Sequence, residues 1–524
     1  MAKYLKEIRV YIAFSLLFYI LETLVASAML LMPGYLIDNY KKGFNIIAGL
    51  ITTYVVLYLV NLLVCYISNR LADYRRIKFE KNLKSDFFNA VLNKDYDNFS
   101  KYDVGEYISM QANDISELCQ NYLSPYISIY RSLIMIIVFG IALIVFVDFR
   151  IAFVILASSL IAGLSPKITS KNLSSRNHHY LASVGVYTEA ISKFFDTKLM
   201  LDKRSMKAIS EVHEKNLDNV LDKNMHFRKL NSLSFVINGG AVDLVMVISF
   251  ITVTLLLVNN DITIGMATTT FLYSTKFIEP LYELNLNIGR VKSVEKIREK
   301  LMLIINEKNS SFEHEKISSA DTITIKNAKK RVHNFTISYP DFTFAKGNSY
   351  LIAGDNGTGK SVLTKIMMNF ITLDKGCIEY DKKNIEKLEV SNLVSYSPQT
   401  SVILSGDYYD NVSLYGSYSL DNLEQYEKMF PIEVIEKIKN QENLKNLSGG
   451  EKQIISLLRV FCSEKKWLLL DEPFSAMNER IVRYFLERFA INEKTFIIVA
   501  HNYSEYVNYF DHVYKIDSKA EKLI

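Results

Sequence analysis

The sequence predicts a two-part protein: an all-α membrane domain of six helices, then an α/β domain built on a phosphate-binding loop. Three observations carry this. Apolar residues crowd into runs before Gly289, whereas the chain after about Asn306 has the mixed composition of a water-exposed α/β domain. Two long polar loops interrupt the apolar runs at regular places. The stretch "GDNGTGKS", Gly354–Ser361, stands between an apolar strand-like run and a helical one. A length of 524 residues fits two or three domains at roughly 100–200 residues each.

Six apolar runs are predicted to cross the membrane, at 11–32, 46–67, 125–147, 151–164, 235–258 and 262–284. Most reach the ~20 residues that a bilayer core requires. The fourth is short and the sixth is diluted by Thr, Tyr, Lys and Glu. Short connections follow the odd-numbered runs, and long ones, 68–122 and 165–231, follow the second and fourth. The long loops are rich in Lys and Arg, with Arg70, Arg75, Arg76, Lys78, Lys81 and Lys84 in the first. The positive-inside rule then places both loops, both chain ends and everything after the sixth run in the cytoplasm. With few Gly or Pro, each long loop is expected to be two membrane helices projecting beyond the bilayer and joined by a turn. The alternative is disorder, against which the aromatic and aliphatic content argues.

A few charges at intramembrane positions stand out: Glu22 near the middle of the first run, Asp243 in the fifth, and Lys276 and Glu279 in the sixth. Such groups are costly in hydrocarbon and usually face a bundle interior or a wet cavity. Either they line a translocation pathway, with Lys276 paired to Asp243 or Glu22, or they form structural pairs or lie beyond the bilayer. Net charge is +5, too small for this length to point to nucleic acid, and the four cysteines show neither metal-ligand spacing nor a disulfide framework. The first apolar run follows "MAKYLKEIR" without a small-residue cleavage site and is expected to stay in the protein.

Residues 300–320 are charged and Ser-rich and read as a linker, giving expected domains at 1–305, 306–320 (linker) and 321–524. Strand-like runs "TITIKN", "FTISYPDFTF" and "SYLIAG" lead into the glycine loop. That loop matches G-x-x-x-x-G-K-[ST], so Gly354, Asp355, Asn356, Gly357, Thr358 and Gly359 are expected to cradle phosphates on backbone N–H groups, with Val362 opening the helix. Lys360 is expected to reach the β- and γ-phosphates of ATP, and the Ser361 hydroxyl to ligate Mg²⁺. Later, "WLLL" runs into Asp471 and Glu472. A carboxylate at the end of a central strand suits water-mediated Mg²⁺ binding, assigned to Asp471, and leaves Glu472 as candidate general base. The strand "TFIIVAH" ends in His501, placed to hydrogen-bond the γ-phosphate rather than to serve as a structural side chain.

In order, "GDNGTGKS", "SPQ" with Gln399, "LSGGEKQ", "LLLDEP", "SAMN" and "AHN" resemble the ATP-binding cassette of ABC transporters. The six-run first half resembles the exporter-type (type IV fold) half-transporter, whose membrane domain is fused ahead of the cassette, and "FSKYDVGEYISMQANDI" looks like its first cytoplasmic loop, which carries a coupling helix. The resemblance implies a P-loop NTPase domain with a helical subdomain. It implies that Gln399 touches Mg²⁺ and the attacking water. It also implies a second chain: Ser448, Gly449 and Gly450 of one cassette close on the γ-phosphate held by Lys360 of the partner subunit.

This sequence departs from the family pattern in three places. Asn478 stands where Asp is usual. By the family's spacing, only "KKRVHNF" offers a partner for adenine, with His333 or Phe335 as substitutes and Tyr339 too late. "KNQENLKN" replaces the usual Gly- and Glu-containing segment before the signature.

The expected function is ATP-driven export of a peptide, drug-like or lipid substrate across a bacterial cytoplasmic membrane, by a homodimer that sits among membrane lipids. A heterodimer and an exporter-fold importer are the alternatives. No peptidase domain precedes the spans, so leader cleavage by this chain is not expected. A soluble cassette ATPase is disfavoured by the spans, and a sensor without turnover by Glu472 and His501.

Overall fold

The computed structural model describes residues 1–146, 148–307, 315–332, 335–355, 357–489, 494–501, 505–516 and 521–522. Val147, Asn356 and His333, on which expectations above fall, lie outside them. By packing, the chain divides into one unit of Met1–Leu92 with Asp103–Glu307 and a second of Asn93–Tyr102 with Lys308–Ile524.

The first unit is helical. In chain order come α1 (Ala2–Glu7), α2 (Arg9–Asn39) and α3 (Phe44–Leu92); α4 (Tyr96–Phe99) belongs to the second unit. There follow α5 (Val104–Ser109), α6 (Ile115–Leu118) and α7 (Ser124–Phe146), continuous through π-helical turns at Met110–Asp114 and Cys119–Leu123. Then come α8 (Phe149–Ala162), α9 (Pro166–Asp196), α10 (Lys203–Val258), α11 (Ile264–Ser293) and α12 (Glu295–Asn306). Among the described residues five helices are long and apolar enough to cross a membrane: Arg9–Lys42, Phe44–Leu92, Val104–Phe146, Phe149–Asp196 and Lys203–Val258. The sixth apolar run forms the 30-residue α11 but does not reach that apolarity. Its middle does not need to, because Thr270, Tyr273, Ser274 and Phe277 are buried among neighbouring helices, with the Tyr273 hydroxyl donating to the Ser27 carbonyl at 2.7 Å.

The long loops are helical extensions, as their composition predicts. The 49 residues of α3 and the 56 of α10 span about 74 and 84 Å at 1.5 Å per residue, well over twice a ~30 Å hydrocarbon core. Arg75, one of the basic residues of the first loop, is buried, and its Nη1 donates to Ser15 Oγ at 2.7 Å.

The expected pairing of Lys276 with Asp243 or Glu22 is corrected. Glu22 accepts from Arg131 on α7 at 2.8 Å, and that guanidinium also lies 5.1 Å from the Tyr19 ring centroid. Lys276 pairs with Glu279, one helical turn on, at 3.1 Å. Short-range helix geometry wins because an i,i+3 partner is already within reach, whereas a partner on another helix must be brought there by packing.

Helices α2 and α11 meet closely at one end. The Asp38 carboxylate accepts from Gly265 N at 2.9 Å and Thr263 Oγ1 at 2.6 Å. A Cβ on Gly34 would lie 2.5 Å from the Gly265 carbonyl oxygen and 2.0 Å from Thr269 Oγ1. Gly34→Ala is therefore expected to destabilise the membrane unit by about 1–3 kcal/mol through overpacking, read as a lower unfolding temperature of the purified protein. An unchanged temperature would show that the helices separate freely here.

The second unit is α/β. Its strands are β1 (Glu315–Lys316), β2 (Thr322–Val332), β3 (Phe335–Ser338), β4 (Phe342–Ala345), β5 (Ser349–Ala353), β6 (Lys375–Tyr380), β7 (Lys383–Asn384), β8 (Leu388–Glu389), β9 (Val394–Ser397), β10 (Trp467–Asp471), β11 (Thr495–Ala500), β12 (His512–Lys515) and β13 (Glu521–Lys522). A parallel sheet runs β12-β5-β11-β10-β9, and an antiparallel one runs β13-β3-β2-β6-β7 with β4 paired to β2. Its helices are α13 (Lys360–Met367), α14 (Tyr408–Ser413), α15 (Leu423–Glu427), α16 (Ile432–Lys439), α17 (Gly449–Cys462) and α18 (Glu479–Phe489). The parallel strands read as unbroken apolar runs because both faces are covered. Along β10, Leu468 and Leu470 face a core with Leu458, Phe461 and Phe485, while Trp467 and Leu469 face another with Ile352 and Leu363. Of the stretch read as a linker, 300–306 is the end of α12, with Leu301 and Ile304 buried, and β1 pairs in parallel with β8.

Candidate functional site

The glycine loop leaves the C-terminal end of β5 and enters α13, and Asp471 ends β10, separated from β5 by β11 alone, so the phosphate-binding and acidic elements meet where open α/β sheets bind ligands. Gly359 caps α13 with φ +89°, a conformation that glycine adopts without Cβ strain. Behind it, Lys360 is buried and its ammonium donates to the Gly354 and Asp355 carbonyls, both at 2.8 Å. Tyr339, which family spacing set aside, is buried and donates its hydroxyl to the Gly359 carbonyl at 2.9 Å. It braces the loop from below, and burial pushes its phenol well above the usual range. Phe335 on β3 remains partly exposed.

Asp471 is 2% exposed. Its carboxylate accepts from Ser361 Oγ at 3.2 Å, Thr364 Oγ1 at 3.2 Å and the Tyr396 hydroxyl at 3.4 Å. Burial raises its pKa despite those donors, and the neighbouring Glu472 charge adds to the rise. Next in sequence, Glu472 has φ +47°, a left-handed conformation uncommon outside glycine, and its N–H donates to the Val499 carbonyl at 2.9 Å. That backbone turns its side chain toward Gln399, whose Nε2 donates to Glu472 Oε2 at 2.8 Å. His501 follows β11, is exposed, and makes no side-chain hydrogen bond among the described residues. The structure thus brings Lys360, Ser361, Asp471, Glu472 and Gln399 into one connected group.

The "LSGGEKQ" segment is built separately. Ser448 caps α17 in a capping box: its hydroxyl accepts from Glu451 N at 3.4 Å and Glu451 Oε2 accepts from Ser448 N at 2.8 Å. Lys437 pairs with Glu451 at 2.7 Å, which together with Ser448 holds that carboxyl below its usual range although burial opposes it. Gln453 donates to Ser475 Oγ at 2.8 Å and accepts from Ala476 N at 3.0 Å, and a Cβ on Gly450 would lie 2.8 Å from the Ala476 carbonyl. Among the described residues no hydrogen bond joins Ser448, Gly449 or Gly450 to Lys360 or Ser361. Asn478 accepts from Arg480 N at 2.9 Å at the start of α18. Asn and Asp serve equally at such a position.

The sequence reading missed an aromatic chain that ends at Asp471. Within the second unit, Tyr96 of α4 stacks on Phe370 with centroids 5.5 Å apart. Phe370 meets Tyr396 edge to face at 5.8 Å, and Tyr396 donates to Asp471. Lys365 on α13 donates to the Tyr96 hydroxyl at 3.0 Å. Aromatic pairs of this kind contribute about 0.5–1.5 kcal/mol beyond their burial. Phe370→Leu is therefore expected to raise amide hydrogen exchange across residues 93–102 by up to about tenfold, with β10 still protected. Unchanged exchange would show that the stack does not hold α4.

In the first unit, Asp243 and Glu279 line a cavity of about 340 Å³ with Phe235, Met246 and Tyr282. Glu22 and Lys276 do not line it.

Comparison with known proteins agrees with this architecture. The model of the ABC transporter family matches residues 337–475, and that of the ABC transporter transmembrane region matches residues 12–194. An export ATP-binding/permease protein of Rickettsia typhi is 25% identical over 91% of this chain and 86% of its own. One of Rickettsia felis is 24% identical over 96% and 92%. A lactococcin-A transport/processing ATP-binding protein of Lactococcus lactis is 29% identical over 32% of this chain and 25% of its own. A helical membrane unit fused to a phosphate-loop ATPase unit defines an ATP-hydrolysing membrane transporter. The chain belongs to the ABC transporters, as an exporter-type half-transporter: a multi-pass membrane protein that binds ATP and works with a second half.

Proposed function

We propose that two copies of this chain form an exporter, with termini and cassettes in the cytoplasm of a bacterial cell, that moves a peptide, drug-like or lipid substrate outward at the expense of MgATP. The observation that carries this reading is the Gln399–Glu472 hydrogen bond at 2.8 Å beside Asp471, because it completes a hydrolytic group within one chain. A homodimer then needs no residue from an unrelated subunit.

The donor set fits Mg²⁺. Ser361, Gln399 and the buried Asp471 present hard oxygen atoms, and no group of three His, Cys, Asp or Glu able to hold a metal by itself occurs among the described residues. This agrees with an ion shared with nucleotide phosphates. Bound there, Mg²⁺ would neutralise charge on the β- and γ-phosphate oxygens. Lys360 turns from its loop carbonyls to those same oxygens, and the loop N–H groups from Gly354 to Val362, Asn356 included, hold the phosphate chain. Glu472 takes a proton from water as the water oxygen bonds to the γ-phosphorus and the bridging bond to ADP breaks. Gln399 holds that carboxylate and the water in register, and His501 donates to the γ-phosphate. Ser448 and Gly450 contact the γ-phosphate held by Lys360 of the partner subunit, so hydrolysis removes a contact made only in the closed state and lets the cassettes part.

Asp243 and Glu279, in the walls of a cavity shared with Phe235, Met246 and Tyr282, belong to the substrate pathway. The Glu22–Arg131 pair joins α2 to α7. Partial similarity to a lactococcin transport/processing protein adds support for a peptide among the candidate substrates.

The test is MgATP hydrolysis by this chain alone in lipid nanodiscs, followed by a screen of substrates for stimulation. Turnover without any other subunit supports the homodimer. No turnover until a related chain is added would replace it with a heterodimer.

A further inference from the structure

A second cavity, of about 630 Å³, lies between α9 and α10 and is lined by Arg176, His179, His226 and Lys229, with Leu230 and Leu233 beside them. We propose that this cleft binds the phosphate of an anionic lipid headgroup from the inner leaflet. The inference rests on the membrane orientation proposed above.

Four observations carry it. First, the cleft is built by the packing of the two helices. Toward the apolar end, Ser165 donates to Asn238 at 2.9 Å and the hydroxyls of Thr169 and Ser234 lie 2.6 Å apart. Alongside the basic residues, next to His179 and His226, Tyr180 stacks on Phe227 with centroids 6.2 Å apart and rings within 3° of parallel. These contacts hold α9 and α10 together along the cleft.

Second, its charge is one-sided. Across 166–179 and 222–233 there are six Lys and Arg (Lys167, Lys171, Arg176, Lys223, Arg228 and Lys229) against one acid, Asp222. That acid lies 3.6 Å from His226, and neither Arg176 nor Lys229 has a carboxylate partner among the described residues. Third, Arg176 offers a planar fork suited to phosphate oxygens and Lys229 a mobile point charge, a pair matched to a phosphodiester.

Fourth, the basic lining gives way directly to hydrocarbon-compatible helix. On α10 the cavity residue Leu233 leads into the stretch 235–258, whose one charge is Asp243, and α8 carries no charged residue after Arg150. A ligand seated on Arg176 and Lys229 therefore has Leu230 and Leu233 beside it, on the side where α10 turns apolar, as an anionic lipid with acyl chains requires. Basic pockets between membrane helices at the cytoplasmic face are suited to such headgroups.

The experiment is native mass spectrometry of the full-length assembled protein in detergent, titrated with phosphatidylglycerol or with phosphatidylcholine of the same acyl chains. Phosphatidylglycerol is expected to be retained preferentially. Arg176→Gln with Lys229→Gln is expected to weaken its retention about thirtyfold, from the usual contribution of two charges near a membrane surface. The charge-preserving pair Arg176→Lys with Lys229→Arg is expected to keep most of it, which separates loss of charge from loss of fold. Equal retention by wild type and the glutamine variant, or no preference between the two lipids, would overturn the proposal. Displacement of phosphatidylglycerol by glycerol phosphate at matched concentration would assign the cleft to a soluble phosphate anion and overturn the lipid source. Binding is read without nucleotide, so hydrolysis by the same preparation reports separately on the exporter reading.

Discussion

Glu472→Gln is expected to lower the turnover number for MgATP by about 10²–10⁴-fold, the usual contribution of a general base. The substitution keeps size and shape, and the amide can still accept the hydrogen bond that Gln399 Nε2 now makes to Glu472 Oε2 at 2.8 Å. What it removes is the capacity to take a proton from water. Nucleotide affinity should therefore persist while hydrolysis stops, and the variant should accumulate as an ATP-bound closed dimer. The measurement is phosphate release together with nucleotide retained after gel filtration. Hydrolysis within twofold of wild type would remove Glu472 from the role of base, and the left-handed turn at Glu472 would then need another explanation.

Asp471→Asn is expected to separate stability from activity in opposite directions. The Asp471 carboxyl is buried, and burial raises its pKa above the ordinary aspartate value. For an acid whose folded pKa is raised, the unfolded chain releases its proton first as pH increases. The cassette therefore loses stability from about the unfolded pKa, ~3.9, up to the folded one, and carries the full penalty above it. Asparagine removes that penalty and keeps an oxygen to accept from Ser361, Thr364 or Tyr396. Without nucleotide, the variant should unfold at a higher temperature than wild type at pH 7, with the gain shrinking as pH falls toward 4. Its Mg²⁺-dependent hydrolysis should fall at least a hundredfold, the scale of a removed group that stabilises developing charge. A lower unfolding temperature at pH 7 would show that the three hydroxyl donors outweigh burial.

How much of this was legible beforehand depended on the range of each interaction. The phosphate loop is local: Gly354 to Ser361 set their own backbone, and the apolar strand before them and the helix after them lie within a few residues. The cap that Asn478 makes on Arg480 N is equally local and explains why Asn in place of Asp leaves α18 intact. The helical form of the long loops followed from composition, since they carry few Gly or Pro, only Gly105 in the first and Pro166 and Gly185 in the second. Leu301 and Ile304 of α12 sit at helical spacing within a charged stretch, a signal that the polar composition of residues 300–320 obscured. The Lys276–Glu279 pair lies one helical turn apart and was open to the same reading.

Contacts between distant segments were not legible. Glu22 and Arg131 are 109 residues apart, and although Arg131 lies within the third apolar run, nothing near it names its partner. Tyr96 meets Lys365 across 269 residues, and neither residue carries a local motif. Tyr339 has the wrong spacing for a base-stacking aromatic, and only the folded sheet shows that it supports Gly359.

By itself, the sequence determined that this chain crosses a membrane several times and carries a nucleotide-hydrolysing cassette, because apolar run length and backbone-cradling glycine motifs act over tens of residues or fewer. Tertiary structure decided that residues 93–102 pack with the cassette unit, that Glu22 is neutralised by Arg131, and that Asp471 is buried under three hydroxyls. Each of these rests on side chains that meet only when separate helices and strands are packed together, and packing is a property of the whole fold that no local pattern encodes.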